Sequence, residues 1–479
     1  MNKIKEKYEN TKLIMASYNM HQFFGQWLTG PFGMYVFFFY ETEIGLPVGL
    51  AALAFVLFSV WNAINDPLTG YLMERFRMPW ERSLGRRFPW IVVGGIPWLF
   101  AYVMIFLVPL KWDPQTQKWL VFTWLLVSTC LFDTFYTIWT VAVNAMYPDK
   151  FKGLNERRTA AGIGTMIGMA GIVSSSVIPP LLIKFGVPET FRGAAWAMIG
   201  IGFFLFLMMI PGVWENKKTR EDFHKRLEGS MIAPQEPLLP TLKTILGDRI
   251  FVTKVVFFFG YQSAVTLLSA SAPYMVNFVM NKESSALSIL MGGMLGGALL
   301  SVPVWIWVSH RVNNNRKLSI FAGFAMTATF IPIAFVTNFS IFAACLFVFG
   351  IGLGAQWFVD PPTMGDVIDN AVVETGVKQE AIYYGFQAFF IRFSHSFQAG
   401  VFALVHHLTG FVEGATSQEE LFSLVQNPDR VIFGIQIHTA LVPAVVVLIT
   451  TLIFWKYYDL TPEKIAENRK KLEEMGLES

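Results

Sequence analysis

The chain has 479 residues, 54% hydrophobic and 16% aromatic, with a mean hydropathy of +0.47. That is more apolar surface than the core of a soluble domain can hide, so a soluble globular protein is excluded and a multi-span membrane protein is expected. The net charge of +3 reflects where basic residues fall around the spans, and no nucleic-acid partner is read into it.

Apolar stretches of at least about 20 residues predict twelve helices, at 13–40, 47–73, 88–110, 117–146, 159–184, 190–213, 249–280, 283–309, 317–337, 339–366, 378–409 and 430–457. The opening segment, Met1 to Lys12, lacks the basic-then-apolar pattern of a cleaved signal peptide, so helix 1 is expected to remain as a span. Helix 2 carries the most informative residue, Asp66, within Phe58-Ser59-Val60-Trp61-Asn62-Ala63-Ile64-Asn65-Asp66-Pro67-Leu68-Thr69-Gly70. A carboxylate unpaired in hydrocarbon is costly, so intramembrane acids face a wet cavity and hold an ion, a proton or an opposite charge. Asn62 and Asp66 share a helix face with Asn65 adjacent, so their oxygens can converge on a small hard cation. The plainer alternative is a kink at Pro67 whose acid pairs with Arg75 or Arg87.

On helix 4, Asp133, Thr137, Thr140 and Asn144 recur at spacings of four, three and four, a polar stripe expected to line a cavity. For Asp133 a helix-stabilising hydrogen bond is the alternative. Cys130 and Cys345 read as small packing residues, with no disulfide framework. The glycine clusters at 162–168, 292–297 and 350–354 read as close-packing sites rather than nucleotide loops, because no strand precedes them.

The charged segment from Glu215 to Asp248, with Pro234, Pro237 and Pro240, separates six predicted spans from six. The expected organisation is an N-terminal bundle at 1–213, a central loop at 214–248 and a C-terminal bundle at 249–457, followed by a tail at 458–479. The loop holds an amphipathic surface segment from Leu238 to Leu246, and the tail reads as a solvated helix. Basic residues set the orientation. Arg75, Arg77, Arg82, Arg86 and Arg87 follow helix 2, and Lys150, Lys152, Arg157 and Arg158 follow helix 4. The central loop adds Lys217, Lys218, Arg220, Lys225, Arg226 and Lys243. Both termini are therefore expected in the cytoplasm, around a multi-pass cell-membrane protein.

On helix 11, Arg392 lies in Phe389-Phe390-Ile391-Arg392-Phe393-Ser394-His395, too deep to snorkel easily. It needs a carboxylate, an anionic substrate or water, whereas His395 reads as a hydrogen-bonded packing residue. The sequence offers no Ser/His/Asp, Cys/His or metal-spaced constellation, and His406-His407 has no third ligand nearby, so neither an enzyme nor a cofactor is expected.

Several motifs stand together: Trp61-Asn62-Ala63-Ile64-Asn65-Asp66-Pro67 with Gly70, Leu84-Gly85-Arg86-Arg87-Phe88-Pro89-Trp90, Asn155-Glu156-Arg157-Arg158, and Gly365-Asp366-Val367-Ile368-Asp369 ahead of Arg392. In this order they resemble the glycoside–pentoside–hexuronide:cation symporter family, the melibiose-permease branch of the major facilitator superfamily. The helix 3 motif, and the run from Met364 to Arg392, are also similar to the animal sodium-dependent lysolipid symporters. The resemblance implies an all-α membrane fold of twelve transmembrane helices in two six-helix bundles. It also implies a monomeric secondary transporter that alternates access by rocking the bundles, with the lipid bilayer, a small-molecule substrate and a coupling cation, Na⁺ or H⁺, as its partners. The family's cation site maps onto Asn62, Asn65, Asp66 and Thr137. Sodium-coupled members usually carry an acid where this chain has Asn62, and Asp133, one turn before Thr137, can supply the missing charge. The family's sugar-binding positions fall on Gln26, Thr140, Asn144, Thr165 and Arg392, where only the last keeps its charge in kind. A sugar-like or anionic small solute is therefore the expected cargo, with Arg392 as its anchor. An amphipathic lipid such as a lysophospholipid is the alternative, and a non-transporting sensor a remoter one. Arg86, Arg87, Arg157, Arg158, Asp366 and Asp369 are expected to form a cytoplasmic charge lock between the bundles.

Overall fold

A computed structural model describes residues 9–78, 80–151, 153–215, 246–376 and 380–475. Their regular structure is helical throughout. The first six long helices are α1 (Lys12–Phe38), α2 (Val48–Arg75), α3 (Phe88–Phe106), α4 (Lys118–Lys150), α5 (Leu154–Val177) and α6 (Pro188–Val213). The next five are α7 (Arg249–Tyr274), α8 (Ala286–Val312), α9 (Asn315–Phe335), α10 (Phe339–Thr375) and α11 (Glu380–Thr409). α12 (Pro428–Tyr457) has one π turn within it at Ile437–Leu441, and a shorter α13 (Pro462–Glu474) closes the chain. Polar side chains fix several starts. Asp248 accepts from the amides of Ile250 and Phe251 at 2.8 and 3.1 Å, and Thr11, Asn314, Asn338, Asn427 and Thr461 cap α1, α9, α10, α12 and α13 in the same way.

Eleven described helices are long and apolar enough to cross a membrane. The exception among the expected twelve is α1, which has 27 residues but carries Asn19, His21, Gln22 and Gln26 along its length. Two ends differ from the expectation. α5 stops at Val177 because Pro179 and Pro180 have no N–H with which to continue its hydrogen-bond ladder, and a short 3₁₀ turn follows at Pro179–Leu181. α10 continues past Asp366 to Thr375, where Gly376 closes it with φ +72°. Its 37 residues span about 55 Å against a hydrocarbon thickness of about 30 Å, so its last turns project beyond the apolar layer. α13 is amphipathic rather than fully solvated: Asn468 and Leu472 are buried, and the Asn468 amide donates to Asn370 Oδ1 of α10 at 2.9 Å. The expected surface segment at Leu238–Leu246 lies outside the described residues except for Leu246, as do Lys152 and the basic residues between 217 and 243.

The chain divides into two compact units, Met1–Pro234 and Gln235–Ser479. In the first, α1 packs on α5 and α6, α4 on α2 and α3, and α3 on α6. In the second, α7 packs on α11 and α12, α10 on α8 and α9, and α9 on α12. These are the same pairings six helices later, which is the mark of an internal repeat. The first unit is filled by rings: Trp98 stacks on Trp139 at 5.2 Å, and both pack against Phe24. In the second, α8 and α10 meet backbone to backbone. A Cβ on Gly350 would lie 2.0 Å from the Met294 carbonyl oxygen, and one on Gly297 2.1 Å from that of Phe347. The glycine clusters in these two helices therefore serve close packing.

Candidate functional site

A polar seam between α2 and α4

The helical repeat places Asn62, Asn65, Asp66 and Thr69 along one side of α2, and Asp133 and Thr137 one turn apart on the facing side of α4. Asn62 Nδ2 donates to Asp133 Oδ1 at 2.6 Å, and Asn65 Nδ2 donates to Asp133 Oδ2 at 3.1 Å. One turn along, Thr137 Oγ1 donates to Asp66 Oδ1 at 2.8 Å. The Thr69 hydroxyl donates to Asn65 Oδ1 at 3.2 Å, and Trp61 Nε1 to the Thr134 hydroxyl at 3.0 Å. Asn62, Asn65, Asp133 and Thr137 are 1%, 3%, 4% and 0% exposed, while Asp66 is half-buried. All five expected cation-site residues thus come together, with two carboxylates on opposite helices joined by two amides and a hydroxyl. A half-turn of either amide presents its oxygen in place of its nitrogen, giving an all-oxygen set of the kind hard cations take.

The polar stripe of α4 divides here. Asp133 and Thr137 are enclosed against α2, whereas Thr140 is half-buried and Asn144 exposed, with Asn144 Nδ2 lying 3.5 Å from the Thr140 hydroxyl. Gln26 is half-buried on α1. Thr165 is exposed on α5, its hydroxyl donating to the Ala161 carbonyl of its own helix at 3.0 Å. Arg392, half-buried on α11, belongs to the second unit.

Charges at the helix ends

Several of the residues expected to form a charge lock also make contacts within their own units. Glu215, just beyond α6, accepts from the backbone amides of Arg86, Arg87 and Phe88 at 3.1, 2.6 and 3.2 Å, which satisfies the start of α3. Gly85 makes this approach possible. Its φ is +97°, and a Cβ there would fall 2.5 Å from the Glu215 carboxyl. Lys150 Nζ donates to the Trp214 carbonyl at 3.1 Å, and burial pushes its ammonium down to about 8 while Glu215 opposes that shift. Arg157 turns back on the end of α4, donating to the carbonyls of Phe151 and Pro148 at 2.6 and 3.2 Å. Arg158 is exposed. Asp366 is 7% exposed and accepts from Asn315 Nδ2 at the start of α9 at 3.0 Å, while Asp369 is half-buried. Arg75, offered above as a partner for Asp66, donates to the Tyr71 hydroxyl and lies 5.0 Å over its ring.

Two polar centres of the second unit

Two clusters escaped the sequence reading. Lys254 of α7 pairs with Asp360 of α10, and Gln387 Nε2 of α11 donates to the other oxygen of Asp360 at 2.7 Å. The signal was available, since Asp360-Pro361 in an apolar helix repeats the pattern of Asp66-Pro67. The other cluster joins α7, α11 and α12: Ser271 Oγ lies 2.7 Å from His438 Nδ1, and His438 Nε2 lies 3.1 Å from His406 Nε2. The partner of His406 is therefore His438, distant in sequence, rather than its neighbour His407.

Relatives and family

Curated relatives include the sodium-dependent lysophosphatidylcholine symporter 1 of Gallus gallus, 24% identical over 453 residues that cover 88% of this chain and 81% of the relative. The Mus musculus protein of the same name is 23% identical, with 88% and 80% covered. An uncharacterized symporter of Synechocystis sp. is 22% identical, with 92% of each chain covered. Among solved structures, a mutant of the nucleoside transporter NupG shares the fold, with a TM-score of 0.57 at 11% identity, covering 94% of this chain and 99% of its own. The family model described as MFS/sugar transport protein matches residues 24–461. Its match extends over the spans of both units, and the chain accordingly belongs to the MFS/sugar transport protein family, as a multi-pass membrane transporter of the major facilitator superfamily.

Proposed function

We propose that this transporter is a Na⁺-coupled symporter whose cation binds the seam between α2 and α4. The observation that carries the reading is the convergence of Asp66 and Asp133 with Asn62, Asn65 and Thr137. Two carboxylates restore the charge that Asn62 removes from the resembled site, and an oxygen-only set with a −2 charge favours a metal cation over a single proton. The sodium-dependent names of the relatives support the same ion. Neither a cofactor nor a catalytic step enters this account. The basic residues at one end of the first unit, among them Arg86, Arg87, Lys150 and Arg157, support an orientation in a cell membrane with that end and both termini in the cytoplasm.

The cargo carries an anionic group held by the guanidinium fork of Arg392. A sugar acid or another small organic anion fits that chemistry. A lysophospholipid is the second reading, favoured by two observations. Relatives bear that name, and Phe259 of α7 packs with Phe390, Phe393 and Phe397 around the Arg392 turn at 5.6 to 5.9 Å, an apolar flank suited to an acyl chain.

The test is uptake into proteoliposomes under an inward Na⁺ gradient, with labelled glucuronate, a neutral galactoside and lysophosphatidylcholine offered separately. Na⁺-dependent accumulation of an anionic or phosphate-bearing cargo is expected. Arg392→Lys should weaken its apparent affinity by about tenfold or more while sparing a neutral one. Unchanged affinity in a folded Arg392→Ala variant would remove the anchor.

A further inference from the structure

The Lys254–Asp360–Gln387 cluster lies wholly in the second unit, apart from the seam described above. Its side chains come from α7, α10 and α11, and Lys254 and Gln387 are 1% and 7% exposed. Asp360 has each oxygen engaged, one by the Lys254 ammonium and one by the Gln387 amide nitrogen. The Tyr261 hydroxyl also faces Asp360, and the Phe258 ring lies 5.7 Å from Lys254 Nζ. One acceptor is left over: Gln387 Oε1 is buried with no hydrogen-bond partner. An orphaned oxygen beside a carboxylate and a phenol is the environment of a cation ligand set rather than of an ion pair sized to its two members. Lys254 supplies the charge such a set needs, as a single ammonium on a flexible stem.

The neighbouring backbone raises the stakes. Pro361 and Pro362 follow Asp360 and have no N–H to offer the carbonyls of Trp357 and Phe358, so α10 is least braced by its own hydrogen bonds where the charge cluster grips it.

We propose that Asp360, Gln387 and Tyr261 form a second monovalent-cation site, in the second unit, which the Lys254 ammonium fills from within. The ligand class is a small cation of single charge: a primary alkylammonium or an alkali ion. With Lys254 in place, the site takes nothing from solution and holds α7, α10 and α11 together at the paired prolines. Without Lys254, the buried Asp360 carboxylate is uncompensated and recruits a free cation to the vacated volume.

The experiment uses the full chain, purified as Lys254→Ala, and follows its melting in methylammonium chloride against choline chloride at equal ionic strength. Methylammonium should raise the melting temperature of Lys254→Ala by at least about 3 °C over choline, and should do so neither in the wild type nor in Lys254→Met/Asp360→Asn, which lacks both charges. Should Lys254→Ala give no folded protein alone, expression and purification with methylammonium present throughout should recover it. No stabilisation or recovery by methylammonium, or an equal effect in the doubly neutral variant, overturns the proposal. Because the readout is the difference from wild type, cation binding at the α2–α4 seam does not enter it.

Discussion

Asp133 keeps both oxygens satisfied deep in the first unit because Asn62 and Asn65 each give it an amide hydrogen. Removing its carboxylate outright would leave two buried donors unmet, at about 1–3 kcal/mol each, so the informative substitution is to Asn, which keeps the shape. Glu43, just past α1, is the opposite case. Its Oε1 accepts from the Gly186 amide at 3.0 Å, while its buried Oε2 has no partner. Burial, aided by the nearby Glu189 and opposed by the Gly186 hydrogen bond, pushes its carboxyl up from 4.5 to about 7. A group raised on folding stabilises most fully below its unfolded value, so this contribution is complete below about pH 4.5 and lost as pH rises to about 7. The whole effect is on the order of 3 kcal/mol. Melting followed against pH should therefore decline over that interval, and Glu43→Gln should flatten the decline; an unchanged pH profile in the variant would refute this assignment. Asp66, Asn62 and Arg392 were legible because each interrupts an apolar run. Lys254 and Asp360 do the same, but a pair built across helices distant in sequence has no spacing to read.

Among the helices, α8 and α10 owe their approach to absent side chains. Gly350→Val would drive a branched side chain into the Met294 carbonyl, 2.0 Å from where its Cβ must stand. Overpacking of this kind costs typically 1–3 kcal/mol, and backbone offers less give than a side chain. A clear fall in melting temperature is expected for Gly350→Val, whereas Gly365→Ala, with open space around its Cβ position, should melt close to wild type. Equal melting of the two variants would contradict the close-packing role. Helix ends were less legible than helix centres. Hydropathy falls away at Asp366 and Asp369, but the backbone of α10 continues about two and a half turns past Asp366 because Asp366 finds Asn315 and Asn370 finds α13. Apolarity reports where the lipid stops, and hydrogen bonding reports where the helix does. Pro179 and Gly376 stand in the sequence at the two stops, but hydropathy, which set the expected ends at 184 and 366, does not register them, and α1 departs from the pattern because its polar residues are spread along its whole length.

Across the whole chain, the two-fold repetition was legible from the charged proline-bearing segment between six spans and six, and the helix pairings repeat it element by element. What the sequence left open was the role of Asp133, for which an ion ligand and a local hydrogen bond were equally good readings. The geometry joins them, because the hydrogen bonds of Asp133 run to Asn62 and Asn65, residues of the proposed ion site itself. The most direct measurement of the central claim is melting of the purified protein in NaCl against choline chloride at equal ionic strength, for the wild type, Asp66→Asn and Asp133→Asn. Selective Na⁺ binding should raise the wild-type melting temperature by a few degrees, and both variants should lose that rise while remaining folded in choline. A wild type indifferent to Na⁺, or an undiminished Na⁺ shift in both variants, would contradict a sodium site between α2 and α4.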